Sequence, residues 1–245
     1  MTSQNNPMLA KVRAILAKAE DPAASPAESE AYFAKAAALM AKYGIEETML
    51  AAAKALPAKP TSRLIKIEGT YAKDRQQLLN HVAVALGAST VLTKVRDETT
   101  DKVVSAVDIF AYESDLDRIE LLYTSLMLQA FNGMRHVRPL PGESTTSYRK
   151  TWLSGFATAV YHRLKKAEED AQSSYEESTG TSTALVLADR KTLIEVERGR
   201  KYKKLRKTPK RKLTGSGWGA GSAAGQRADL GGNRLAETRR PALVG

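Results

Sequence analysis

Cysteine is absent from the 245-residue chain. That excludes a disulfide framework, a thiolate metal site and a cysteine nucleophile, and it fits a reducing compartment. No apolar run approaches the ~20 residues that a membrane-spanning helix needs. The opening residues, MTSQNNPMLAKVRAILAKAED, carry charge inside their apolar stretch and show no small-residue cleavage site, so no signal peptide is expected. The expected location is the cytoplasm, with no membrane partner.

The nucleotide fingerprints are missing too. Gly217, Gly221 and Gly225 recur every fourth residue, but no clear strand precedes them and no Gly-Lys-Ser/Thr ending follows. With Ala220, Ala224 and Ala228 alongside, the spacing on a helix makes a groove where another backbone approaches closely; otherwise it is a flexible end. His81, His136 and His162 stand far apart without paired metal-ligand spacing. No catalytic residue, cofactor or metal site is therefore expected. The acids Asp108, Glu113, Asp115, Asp117 and Glu120 do cluster at a strand-to-helix junction, where neighbouring carboxylates can bind magnesium or act as acid and base. Negative charge in a first helical turn also simply offsets the helix dipole, which accounts for Asp115 and Asp117.

What the chain has in excess is positive charge, and it is uneven. The net charge is +11. From Arg190 to Gly245 there are 16 Lys/Arg and 4 Asp/Glu, whereas the first 189 residues hold 22 and 23. A neutral body with a cationic end points to a polyanionic partner. Ten of the fifteen residues from Arg198 to Lys212 are basic and none is acidic: Arg198, Arg200, Lys201, Lys203, Lys204, Arg206, Lys207, Lys210, Arg211 and Lys212. Tyr202 within this run and Trp218 beyond it are candidates for stacking on exposed bases. The bland alternative is a solvated tail that contacts nothing specific.

Three segments follow from the pattern. Residues 1–56 read as a helical module, 61–197 as an α+β domain and 198–245 as a basic, glycine-rich tail. In the first, Leu9, Val12, Leu16 and Ala19 share one helix face. A second helix opens with the capping box Ser25-Pro26-Ala27-Glu28 and carries Tyr32, Phe33, Ala36, Met40 and Tyr43 as its stripe. Gly44 is expected to end it in a left-handed turn, with Glu46–Leu56 a third short helix before a proline linker. In the second, strands are expected at Arg63–Glu68, Thr90–Val95 and Lys102–Tyr112, with a helix from Asp74 to Ala88 between the first two. Ser114–Asp117 reads as the capping box of a long helix reaching about Arg135, and a second long helix runs from about Ser147 to Ala171 with Trp152 and Phe156 inward. Ser173–Ser182 reads as a loop, and Asp189 to about Leu205 as an increasingly basic helix. The fold class is α+β: an N-terminal helical hairpin module, then a small, mostly antiparallel sheet covered by two long helices.

The blocks KVRAILAKAE and ESEAYFAKAAALMAKYGI, at their spacing, resemble the N-terminal signature of the domain-of-unknown-function family numbered 2786, of actinobacterial and phage type. FAYESDLDRIELLY, TWLSGFATAVYHRL, ALVLADRK and GAGSAAGQRADLGG are similar, in order, to the second domain that often follows it. The resemblance implies architecture and a phage or mobile-element origin. It implies no activity, and no site residue is carried over from it.

The leading expectation is a non-enzymatic, nucleic-acid-associated protein that binds phosphates through the basic arm. Two alternatives stand beside it. One is a protein-interaction module or virion component that docks a host or phage protein through the hairpin face at Phe33 and Met40. The other is a metal-dependent nuclease using the carboxylates between Asp108 and Glu120.

Overall fold

A computed structural model describes residues 7–19, 26–53, 59–135, 137–206, 209 and 211–228. Two helices open it, α1 (Pro7–Ala19) and α2 (Pro26–Ala53). Then come β1 (Thr61–Ile67), α3 (Ala72–Ala85), β2 (Ser89–Arg96) and β3 (Val103–Ala111). Four helices follow: α4 (Glu113–Arg135), α5 (Thr145–Thr179), α6 (Ala184–Lys201) and α7 (Trp218–Arg227). The fold is α+β, with N-terminal helices, a three-stranded antiparallel sheet and long C-terminal helices.

The sheet order is β1-β3-β2, so the last strand is the central one, paired antiparallel on both sides. Alternation along β3 sends Val107, Ile109 and Ala111 to the main core, where Leu78, Leu79 and Val82 of α3, Ile119 and Leu126 of α4, and Trp152 and Phe156 of α5 meet them. Phe110, and Tyr112 just beyond the strand, face the other way, with Val91 and with Ile194 of α6. The sheet is thus covered on both faces, by α3–α5 on one and α6 on the other.

The N-terminal helices share the main core. Val12, Leu16, Ala36 and Met40 belong to the same buried cluster as the sheet face. Met40 is consequently inside the chain's own body, and Phe33's side chain lies outside the described residues. The expected cap Ser25 also lies outside them, though α2 does begin at Pro26.

Several local expectations are corrected. Gly44 does not end a helix: α2 passes through it to Ala53, absorbing the expected third helix. Gly44 lacks positive φ, and the space where its Cβ would stand is filled by the guanidinium of Arg118. Helix α4 starts at Glu113, before the expected cap at Ser114, and the first bond of the turn runs from the Leu116 amide to the Tyr112 carbonyl. Residues 173–179, expected as loop, continue α5 until Gly180 closes it in the left-handed region with φ 66°. Their small polar side chains are weak helix formers. Here Glu176 also has a tertiary task, accepting bonds of 2.7 Å from both the amide and the hydroxyl of Thr183 at the start of α6.

The glycine-rich end is in part a folded helix. Gly217, Gly221 and Gly225 place their bare Cα atoms against the α5 backbone at Tyr148, Trp152 and Phe156. Side-chain-free contact of this kind lets two helix backbones approach closely, the use that the four-residue spacing predicts. Arg163 Nη1 closes the arrangement by donating to the Gly225 carbonyl at 2.9 Å.

Candidate nucleic-acid interface

The basic run starts on the last turn of α6, which crosses the outer sheet face. Asp108 sits at the middle of the central strand with 0% exposure. Its Oδ2 takes Lys201 Nζ at 2.7 Å and the Tyr202 hydroxyl at 2.8 Å, while its Oδ1 has no hydrogen-bond partner. Lys201 also donates to Ser62 Oγ at 3.0 Å. Tyr202 sets its ring edge-on to Phe110, centroids 5.9 Å apart. Burial, then the bond to Asp108, pushes the Tyr202 phenol up to about 12. Tyr202 is therefore held against the sheet, by its hydroxyl on Asp108 and its ring edge on Phe110.

The ten candidate cations divide by partner. Arg198 donates to Ser89 Oγ at 3.0 Å and pairs with Glu195, and Arg200 pairs with Glu197 at 3.0 Å. Lys201 holds Asp108. Arg211 Nη2 stands 2.8 Å from Asp74 Oδ1, without hydrogen-bond alignment, and Asp74 is 3% exposed. Burial raises the Asp74 carboxyl, and Arg211 works against that shift. By contrast, Lys203, Lys204, Arg206 and Lys212 are exposed and have no acidic partner among the described residues. Lys207 and Lys210 lie outside the described residues.

Between α6 and α7 the described chain (202–206, 209 and 211–217) forms neither helix nor strand. Both flanks are held: one by Lys201 and Tyr202 on Asp108, the other by Glu143, whose carboxylate accepts the Ser216 amide at 2.6 Å and its hydroxyl at 2.7 Å. Trp218 opens α7 with 51% of its surface exposed.

The carboxylates of the nuclease alternative are all paired with cations of the fold. Arg63 takes Glu113, Asp117 and Glu120, the last two at 2.9 and 3.1 Å. Asp115 takes Arg118 at 2.9 Å and Arg190 at 2.7 Å, and Asp108 takes Lys201. Among the described residues no three His, Asp or Glu side chains gather to hold a metal ion. His81 Nδ1 lies 3.1 Å from the Ala157 carbonyl, and burial holds its pKa down. His162 packs edge-on to Tyr161, and His136 lies outside the described residues. Among the described residues no helix is long and apolar enough to cross a membrane.

Sequence reasoning missed Asp74, Glu143 and Lys150 as neighbours of the basic stretch. No local pattern marks them: Glu143 meets Ser216 across 73 positions and Asp108 meets Tyr202 across 94.

A family model described as a protein of unknown function (DUF2786) matches residues 8–47, a span that takes in most of α1 and most of α2. No curated protein and no solved structure matches the chain.

Proposed function

We propose that the protein binds nucleic acid without turnover, gripping backbone phosphates with the cations that the fold leaves unpaired, in the phage or mobile-element setting its resemblance implies. The observation that carries this reading is the run Lys203, Lys204 and Arg206, exposed, irregular and free of acidic partners among the described residues, suspended between two anchored ends. The first 189 residues nearly balance, with 22 basic against 23 acidic side chains, so the positive surplus belongs to the segment that contains this run. Neutralising phosphates there releases condensed counterions, which makes such binding steeply salt-dependent and largely indifferent to sequence. The half-exposed indole of Trp218 offers a π-face to an unpaired base.

Deleting the C-terminal part is the wrong test, because it strips α7 from α5 and takes Lys201 and Tyr202 from a fully buried carboxylate. Substitution avoids this. Binding to a duplex and to a single strand is followed by fluorescence anisotropy across a salt series, for the full chain and for K203Q/K204Q/R206Q. Losing three phosphate contacts makes the negative slope of log affinity against log salt shallower by about 2.7 on duplex. Identical slopes for the two chains would overturn the reading.

A further inference from the structure

Where the basic stretch approaches α7 it lies against the first turns of α5, and a solvent-open cavity of about 320 Å³ lies between the two. Ser147 and Lys150 line it from the helix, and Arg211, Lys212, Leu213 and Thr214 from the facing chain. Five of these six side chains are donors. Lys150 is half-buried and pulls on buried Asp74 from beyond ion-pair distance, and neither it nor Lys212 has an acid at that distance among the described residues. The hydroxyls of Ser147 and Thr214 make no hydrogen bond among the described residues. Arg211 differs, because one end of its guanidinium faces buried Asp74 at 2.8 Å. That contact fixes the side chain and leaves its other N–H groups without a described acceptor.

The charge is unbalanced in a definite sense. Three cations against the one carboxylate of Asp74 leave a surplus of two. The wall offers ammonium, guanidinium and hydroxyl donors, a set that matches a compact group of acceptor oxygens bearing one or two negative charges. The helix terminus is not needed for this, since the Ser147 amide is already turned to Ser144 Oγ at 3.5 Å. We infer that the cavity seats a phosphate group, held by Lys150, Arg211 and Lys212 with Ser147 and Thr214 as hydroxyl donors. This deepens the nucleic-acid reading, since a backbone phosphate delivered by a strand lying along Lys203–Arg206 is one source; free phosphate is the other.

The test uses the full chain and inorganic phosphate as probe. Thermal midpoints are compared in phosphate and in chloride at matched ionic strength, for the parent, K150A and K212A. Arg211 is left intact because removing it strands Asp74, and Lys212 is exposed, so K212A keeps the test alive should K150A fold poorly. Phosphate raises the midpoint of the parent, and each substitution weakens apparent phosphate affinity about tenfold or more, the loss expected for a charge-assisted contact. Equal midpoints in the two salts, or an undiminished phosphate effect in K212A, would overturn the seat. Competition separates the sources. Displacement of a bound oligonucleotide by phosphate, with weaker oligonucleotide binding by K212A, assigns the seat to the backbone. Phosphate binding without any oligonucleotide binding keeps the seat and removes the nucleic-acid reading. Salt-dependent oligonucleotide binding that ignores both phosphate and K212A keeps that reading and removes the seat.

Discussion

The guanidinium of Arg118 occupies the space where a side chain on Gly44 would begin. A Cβ at residue 44 would overlap Nη1 and Cζ of Arg118, whose side chain is 3% exposed. From there Arg118 reaches Asp115 at 2.9 Å and Glu168, and Asp115 passes on to Arg190 at 2.7 Å. Arg190 in turn lies over the Tyr112 ring, 3.7 Å from its centroid. Helices α4, α5 and α6 are thus joined by one charge network, covered by α2 at its one residue without a side chain. Burial drives the Glu168 carboxyl up, against the pull of Arg118. A buried network of this kind contributes less to net stability than to fixing which helices meet, because desolvation offsets most of the attraction.

The first prediction follows from that overlap. At an open helical site alanine is better than glycine by about 1 kcal/mol. At position 44 the guanidinium must yield to the methyl group and leave Asp115 or Glu168. G44A is therefore expected to lose about 1–3 kcal/mol, the usual cost of overpacking. Denaturant unfolding measures it, and a G44A chain as stable as the parent would refute the packing.

Lys201 carries a second expectation. K201A leaves Asp108 buried with only the Tyr202 hydroxyl. Breaking a fully buried pair costs about 3–5 kcal/mol; Lys201 is half exposed, so about 2–3 kcal/mol is expected here. In the double variant K201A/D108N the uncompensated charge is gone, and the loss should fall well short of the sum of the single losses. Additive losses would mean that the two groups are not coupled.

The two faces of α7 should respond in opposite ways. A Cβ on Gly221 would enter the Trp152 backbone, whereas Gly219 has nothing within 4 Å. G219A is expected to stabilise by up to about 1 kcal/mol through helix propensity alone. G221A should destabilise and raise the exchange rate of α7 amides. If both changes have the same sign, α7 is not docked through its glycine stripe.

Asp97 sets the pH dependence of the β2–β3 connection. Its Oδ1 accepts the amides of Thr99 and Thr100 at 3.1 and 2.9 Å, and its Oδ2 takes Lys66 Nζ at 2.8 Å. The Lys66 contact, then the Thr100 amide, lower its pKa from 3.8 to about 2. A carboxylate whose folded pKa is depressed stabilises the native state above its unfolded value. That contribution is present above pH 3.8 and disappears as pH falls through about 2. Unfolding measured between neutral pH and pH 2 should lose stability over this window in the parent and lose less in D97N. Superimposable pH profiles would exclude the role.

Local pattern carried much of this architecture. The alternation in RLIKIE, the β-branched runs around Val91 and Val107, and the stripe from Leu116 to Ala130 place β1, β2, β3 and α4 within a residue or two. Glycine was the ambiguous letter. Gly44, followed by Ile45, reads as a left-handed helix end, and in the structure it is a missing Cβ inside a continuous helix. Both uses leave the same mark in a sequence, and only the distant Arg118 distinguishes them. Gly217, Gly221 and Gly225 were readable as a close-packing stripe because three of them recur in register, although nothing nearby names α5 as the partner. Tyr202 shows the same limit, since an aromatic among lysines reads as a stacking platform and only the fold brings Asp108 to its hydroxyl.

The sequence by itself determined the α+β class, the order of the main elements and the contrast between a neutral body and a cationic end, since periodicity and net charge are sums over neighbouring residues. The tertiary structure alone decided which of those cations remain available. Arg211 is engaged by Asp74 and Lys201 by Asp108, while Lys203, Lys204, Arg206 and Lys212 stay exposed. An ion pair forms only where the folded backbone brings opposite charges within a few ångströms, and separation along the chain has no bearing on that distance.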